Sequence, residues 1–365
     1  MNTKNLKLTS LIGFLVISSF PLTSCNYDYD LTFKYTYSCF NDGYILDELD
    51  LKDEGYYENI EMPTKFRGKD IYEIKALGKN FKNSEIKILK YFSYSNEVRD
   101  EFFLGFDKLE NVVLDKNIKW IGDSAFNGCS NLESINITNS LYYIGRSAFM
   151  NTSKLSIVFD DYNVYKRLRV CDMAFKNSGI KLFGEEGKPI RYLEYLGDRV
   201  FENCVLDCLY INELSGTWNE TFNGATINDF EIKKCGFYKW GSFNNCKINE
   251  NKFKPNFNSQ NFGTMSLKGL RGITNFIVPS GVKEIKNDDF KDCSDLITIQ
   301  FGTDVENIEN NLFANCSSLE KIIILGDPSL DSGFILPNKN CILYIKKDTT
   351  IYNYCVENEL KFILI

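Results

Sequence analysis

One frame returns eleven times along this chain, and it constrains the fold more than any other feature. Its reference is Phe126, in Ile-Gly-Asp-Ser-Ala-Phe-Asn-Gly-Cys-Ser-Asn-Leu-Glu-Ser-Ile-Asn-Ile. The frame recurs at Phe149, Phe290 and Phe313. In looser form it recurs at Phe81, Phe103, Phe175, Phe201, Phe222, Phe243 and Leu267. The spacings are 22, 23, 23, 26, 26, 21, 21, 24, 23 and 23 residues. Five residues before the reference stand Ala76, Val98, Ile121, Ile144, Val170, Leu196, Thr217, Tyr238, Phe262, Ile285 and Ile308, nine of them plainly apolar. Three residues after it stand Ser84, Phe106, Cys129, Thr152, Ser178, Cys204, Ala225, Cys246, Leu270, Cys293 and Cys316, nine of them small. A unit of this length cannot bury its own apolar face, so successive units must stack.

Beyond the small column the units fall into two classes. The long class places apolar residues at +6, +9 and usually +11, as in Leu109-Val112-Leu114, Leu132-Ile135-Ile137, Leu296-Ile299-Phe301 and Leu319-Ile322-Ile324. The short class uses +5 and +8, as in Ile86-Leu89, Ile180-Phe183, Leu206-Leu209 and Ile227-Phe230. Alternation at +9 and +11 is a period-2 pattern, so each unit supplies a short strand with one buried face. The Phe segment before it reads as a turn or a single helical turn. The prediction is an α/β-type solenoid of mostly short parallel β-strands, about 11 coils of 21–26 residues. An N-terminal cap over 31–72 and a C-terminal cap over 327–365 flank the solenoid at 73–326. Stacking should lay Phe on Phe, Leu on Leu and Cys on Cys.

These columns resemble the BspA-like leucine-rich repeats of bacterial surface antigens. That family's pattern is Ile-Gly-x-x-Ala-Phe-x-x-Cys-x-x-Leu-x-x-Ile-x-Ile-Pro, and residues 121–137 match it apart from the Pro. Phe276-Ile277-Val278-Pro279 supplies that Pro elsewhere. The resemblance covers roughly residues 56–326, strong at 98–160 and 265–326 and weak at 160–262. Ile60-Glu61-Met62-Pro63, with Gly68 and Ile71, resembles the family's first segment, and residues 341–365 resemble its exit cap. The resemblance implies a leucine-rich-repeat solenoid and a role in adhesion to host matrix, host cells or other bacteria.

The N-terminus reads as an export address. Lys4 and Lys7 precede a ten-residue apolar stretch from Leu11 to Phe20, which is too short to span a bilayer as a mature helix. It ends in Leu22-Thr23-Ser24-Cys25, which resembles a bacterial lipobox. Residues 1–24 would then be the signal peptide, Cys25 the lipidation site and 25–30 the tether of an envelope-anchored protein. Two or more acyl chains anchor stably where one is marginal.

Several function classes fall away. The chain has no His, which excludes Ser–His–Asp and Cys–His catalysis and every His-containing zinc site. It has no Gly-rich phosphate loop. With 42 basic and 49 acidic residues interspersed, it lacks the basic patches that nucleic acid requires. Cys129, Cys204, Cys246, Cys293 and Cys316 sit in the small column, where a thiol acts as a small hydrophobe. Cys204-x-x-x-Cys208 has no second pair to complete a metal site. No catalytic residue, cofactor or metal is expected.

The expected partner-binding face is the outward column between the buried strand residues: Lys90, Val113, Asn136, Phe159, Gly184, Tyr210, Glu231, Lys252, Ile277, Gln300 and Ile323. An extended solenoid face suits a protein or glycan ligand better than a deep pocket suits a small molecule. Two alternatives stand beside this reading. One is a structural or scaffolding envelope lipoprotein. The other is a His-free hydrolase with convergent acids in 160–262, where the pattern is weakest.

Overall fold

The computed structural model describes residues 31–38, 43–137, 139–159, 167–262, 266–331 and 333–365. The proposed signal peptide and Cys25 lie outside the described residues. The chain divides into two compact units. The first runs to Tyr56 and includes Pro63–Ser84; the second holds Tyr57–Met62 and Glu85–Ile365.

In the first unit, Leu31–Ser38 pairs antiparallel with Gly43–Leu51, which pairs in parallel with Lys69–Ile74. Tyr35, Tyr44 and Phe66 pack ring against ring with centroids 4.9–5.2 Å apart. The first predicted register, Phe81, belongs to this unit. It is buried, and its N–H donates to Asp50 Oδ1 at 2.9 Å.

The second unit is a parallel-strand solenoid. The reference Phe residues form one interior stripe from Phe103 to Phe243. Consecutive rings of Phe103, Phe126, Phe149, Phe175, Phe201, Phe222 and Phe243 are stacked 5.1–5.8 Å apart and within 17° of parallel. Each Phe amide from Phe103 to Phe222 donates to the carbonyl of the residue before the next coil's Phe, at 2.8–3.0 Å. The turns thereby satisfy backbone groups that no strand reaches.

Two local rules hold each turn in shape. The residue two after the reference has a left-handed φ of 55–76° at Gly105, Gly128, Asn151, Asn177, Asn203, Gly224, Asn245, Gly269, Asp292 and Asn315. Gly, Asn and Asp tolerate that conformation best. The Gly of Ile-Gly answers a close approach: a Cβ on Gly145 would lie 2.5 Å from Asp123 Oδ1. That carboxylate accepts the amide of Arg146 at 2.7 Å.

The small column does more than fit. The Sγ atoms of Cys129, Cys204, Cys246, Cys293 and Cys316 donate to the carbonyls of Phe103, Phe175, Phe222, Leu267 and Phe290 at 2.7–3.2 Å. Each cysteine thus ties its coil to the one before. All five are free thiols. Burial pushes Cys129 and Cys293 up to about 12 and Cys204 and Cys316 to about 11. They are therefore poor nucleophiles.

The number of turns is about 13 rather than 11. The segment read as a terminal cap still coils. Lys321–Ile324 pairs with Ile342–Ile345, which pairs with Phe362–Leu364, all in parallel. The helix Thr350–Glu357 stands where other coils have a Phe turn, with Thr349 Oγ1 capping it and Ile351 and Cys355 buried.

Candidate functional site

The outward column survives only in part. Lys90 and Val113 are exposed and in register on Glu85–Tyr91 and Asn111–Leu114. Lys90 pairs with Glu61 at 3.5 Å, and Val113 is 43% exposed. Asn136 is exposed, but its amide folds back onto the N–H and C=O of Leu114 at 2.6 and 2.9 Å, completing a strand edge. Ile277, Gln300 and Ile323 lie in register on adjacent strands, and Ile277 is 67% exposed. Their column continues through Tyr344 and Ile363, which the frame without a Phe concealed.

Four members need correction. Phe159 is 1% exposed and stands opposite the inward Phe183, packing against Phe175 and Phe183. A slip of one residue in that coil turns the side chain to the other face. Gly184 is buried, with φ 72° and the Tyr210 carbonyl against it. Tyr210 keeps its register beside the half-buried Glu231 but is 5% exposed, and its hydroxyl donates to Asp229 Oδ1 at 2.8 Å. Lys252 lies in the short turn Glu250–Lys252, where it pairs with Asp229 at 3.3 Å; Lys254 occupies the strand position beside Glu231.

A second outward run lies on the strand that precedes each Phe turn. There, Glu97, Trp120, Tyr143, Arg169 and Tyr195 follow one another in register. The rings of Trp120 and Tyr143 stack 3.5 Å apart. The Arg169 guanidinium lies over Tyr195 at 5.5 Å. Tyr195 in turn meets Trp218 at 5.5 Å, and Lys239 lies over both Trp218 and Phe237 at 5.9 and 5.4 Å. Trp240 follows Lys239 and is 57% exposed. All three tryptophans of the chain therefore fall in or beside this run.

Its tyrosines are held neutral. Tyr195 donates to Asp172 Oδ1 at 3.0 Å, and burial together with that carboxylate pushes it up to about 12. Burial, then the Cys171 thiol, pushes Tyr143 higher still. Sequence reasoning missed this run because its residue types change from coil to coil; only strand register aligns them.

Two open clefts lie in or beside the irregular stretch. One, of about 420 Å³, is lined by Thr226, Asn228, Lys247, Asn249, Glu250 and Asn251 among others. The other, of about 360 Å³, is lined by Tyr192, Glu213, Ser215, Lys234, Asn256 and Asn258 with neighbouring backbone. Each has one carboxylate, so the convergent acids of a hydrolase are not assembled there. Among the described residues no group of three Cys, Asp or Glu side chains could hold a metal ion, and no helix is long and apolar enough to cross a membrane.

A family model for the BspA type leucine-rich repeat region, in six copies, matches residues 58–181, 169–266 and 260–358. It spans the stretch where the frame is weakest by eye and reaches into the terminal coils. Similar solved structures include the pneumococcal vaccine antigen PcpA, at 16% identity and a TM-score of 0.48, covering 92% of this chain and 97% of that one. A leucine-rich repeat protein from Bacteroides ovatus is 17% identical with a TM-score of 0.37, covering 93% and 100%. A leucine-rich cell surface protein from Faecalibacterium prausnitzii is 15% identical with a TM-score of 0.37, covering 84% and 95%. No curated protein matches significantly in sequence.

Proposed function

Because this chain belongs to the BspA-type leucine-rich-repeat family, we propose that it is a lipid-anchored protein of the bacterial envelope that holds a protein partner against its solenoid. The leader ending in Cys25 supports export and anchoring, and the family supports a surface role. The reading is of a binding protein and not a catalyst. The observation that carries it is the Trp120–Tyr143–Arg169–Tyr195–Trp218 run. Trp, Tyr and Arg are the side chains that dominate protein interfaces. Exposed Val113 and Ile277 of the first column would add apolar contact.

The test is capture of host matrix proteins, intact bacteria and envelope extracts by the full chain. The expected result is a partner whose binding weakens about tenfold or more in Trp120→Ala and Trp240→Ala. Binding indifferent to both substitutions would remove this face from the function. Cys25→Ser should shift the protein from the membrane fraction to an unlipidated form; unchanged fractionation would refute the anchor.

A scaffolding lipoprotein is the second reading. The ring faces of Trp120 and Tyr143 lie on each other, which favours a stabilising ladder. It predicts that Trp120→Ala lowers the melting temperature while capture is unaffected.

A further inference from the structure

The cleft at Tyr192–Asn258 exists because the strand beside Phe230–Cys235 stops after two residues. Phe253–Lys254 pairs only with Phe230 and Glu231. Pro255 has no N–H with which to continue the ladder. Asn256 then takes a φ of 53°, and Phe257 packs among Tyr238, Phe243, Phe253, Phe262 and Phe276. On the neighbouring strand the chain bends at Gly236, where Cys235 Sγ donates to the Phe237 carbonyl at 3.2 Å. Only glycine fits that floor, since a Cβ would lie 2.2 Å from the Ser215 carbonyl. The gap between the bent strand and the departing segment is the 360 Å³ cleft.

Register then fills its wall. Tyr192 stands beside Glu213, and Glu213 beside Lys234, on adjacent parallel strands. The Tyr192 hydroxyl meets Ser215 Oγ at 3.0 Å, and Arg167 lies over its ring at 5.4 Å. Asn256 and Asn258 form the opposite side. Gly236 leads into Phe237, whose ring meets Trp218 at 6.2 Å outside the cleft.

We propose that this cleft binds a neutral oligosaccharide, a site beyond the protein-binding face and independent of it. Its volume falls in the small-ligand range of about 300–1,000 Å³. Its lining offers a carboxylate acceptor, an ammonium donor, two hydroxyls and two amides within one small wall. Sugar hydroxyls both donate and accept, and they use such a mixed set fully. Glu213 and Lys234 oppose each other in sign, which leaves no preference for a charged ligand. The Tyr192 ring supplies apolar surface for the C–H face of a pyranose. A bound peptide would instead need apolar pockets, which this wall lacks.

The test titrates the full chain in detergent with neutral hexasaccharides of glucose, mannose, xylose and N-acetylglucosamine, and with an anionic heparin hexasaccharide, by calorimetry. The expected result is binding of at least one neutral probe near one-to-one. Glu213→Gln and Lys234→Met should each weaken it about tenfold, as loss of a charge-assisted hydrogen bond does. Both side chains are exposed, so the melt should not move. Tyr192→Phe, which keeps the ring, should weaken binding less than Tyr192→Ala. No neutral probe binding, tighter binding of heparin, or neutral binding indifferent to Glu213 and Lys234 would each overturn the proposal. Trp120→Ala should leave sugar binding unchanged, so failure of the cleft and failure of the protein-binding face are read separately.

Discussion

The coils around Phe126 and those around Phe222 carry the same ring in the same stripe, yet they build different walls. Near Phe126 the spacing is 23 residues, and each coil makes two separate short strands, Asn111–Leu114 then Trp120–Ile121, with a loop between them. Near Phe222 the spacing falls to 21, and one longer strand per coil, Cys208–Leu214 or Phe230–Cys235, takes up most of that stretch, with Thr217 and Tyr238 pairing beyond it as isolated bridges. A further three-stranded sheet of Val205–Leu206, Thr226–Ile227 and Lys247–Ile248 forms between the Phe turn and the longer strand. The lesson is that the Phe turn fixes the stacking, while the chain between turns can be shortened and rebuilt. Both the cleft and the crowded end of the aromatic run occur where it was rebuilt.

The comparison breaks most directly at the rings. Phe126→Ala and Phe201→Ala should each cost about 3–5 kcal/mol in denaturant unfolding, since each ring is fully buried between two others. If Phe201→Ala costs less than half as much as Phe126→Ala, the longer strands and not the stripe hold the compressed coils. Equal losses would mean one stripe carries both regions.

How far the sequence was readable follows the same division. Phe103 to Phe313 were legible because one large side chain recurs at a nearly constant interval, and burial at those positions tolerates little else. The two-residue-later position was equally visible as Gly, Asn or Asp, although its left-handed φ was not inferred. The face was harder. A strand assigned by counting from Phe149 puts Phe159 outside, whereas one residue of slack in that coil puts it inside. Counting from Phe243 chose Lys252 over Lys254 for the same reason. The Trp120 run was invisible because Glu, Trp, Tyr, Arg and Tyr share no type; pairing alone makes them a surface.

The thiol ladder sharpens the comparison at a smaller scale. Cys129 belongs to a regular coil and Cys246 to a compressed one, and their Sγ atoms donate to Phe103 and Phe222 at 3.1 and 2.7 Å. Replacing either by Ala removes one of two donors, since the Phe103 and Phe222 carbonyls still accept from the Phe106 and Ala225 amides, at a cost of about 0.5–1.5 kcal/mol. Ser keeps a donor and should recover part of the loss at both sites. Recovery at one site only would show that the ladder belongs to one class of coil. In the folded protein both thiols should resist maleimide, while half-exposed Cys171 reacts sooner.

The smallest effect is expected from a position where one coil carries a carboxyl that the regular coils lack. The residue before the reference is Ala125, Ala148 and Ala174 in three coils but Asp289 before Phe290. Burial pushes that carboxyl up from 3.8 to about 7, against the stabilising amide of Lys286, which donates to Oδ2 at 2.8 Å. Between those two values the folded chain keeps a proton that the unfolded chain has lost. The contribution of this group is therefore neutral below pH 4, becomes destabilising as pH rises toward 7, and levels off above it. Solvent reaches the half-buried group, so the change should be about 1 kcal/mol. Asp289→Asn, which still accepts from Lys286, should flatten that slope. Asp289→Ala should give the coil the residue found at Ala125, Ala148 and Ala174 and raise the melting temperature at pH 8 but not at pH 4. A melt of Asp289→Ala that tracks the unsubstituted chain at both values would mean the carboxyl is ionised in the fold, and this coil then tolerates a charge where the coils of Ala125, Ala148 and Ala174 carry none.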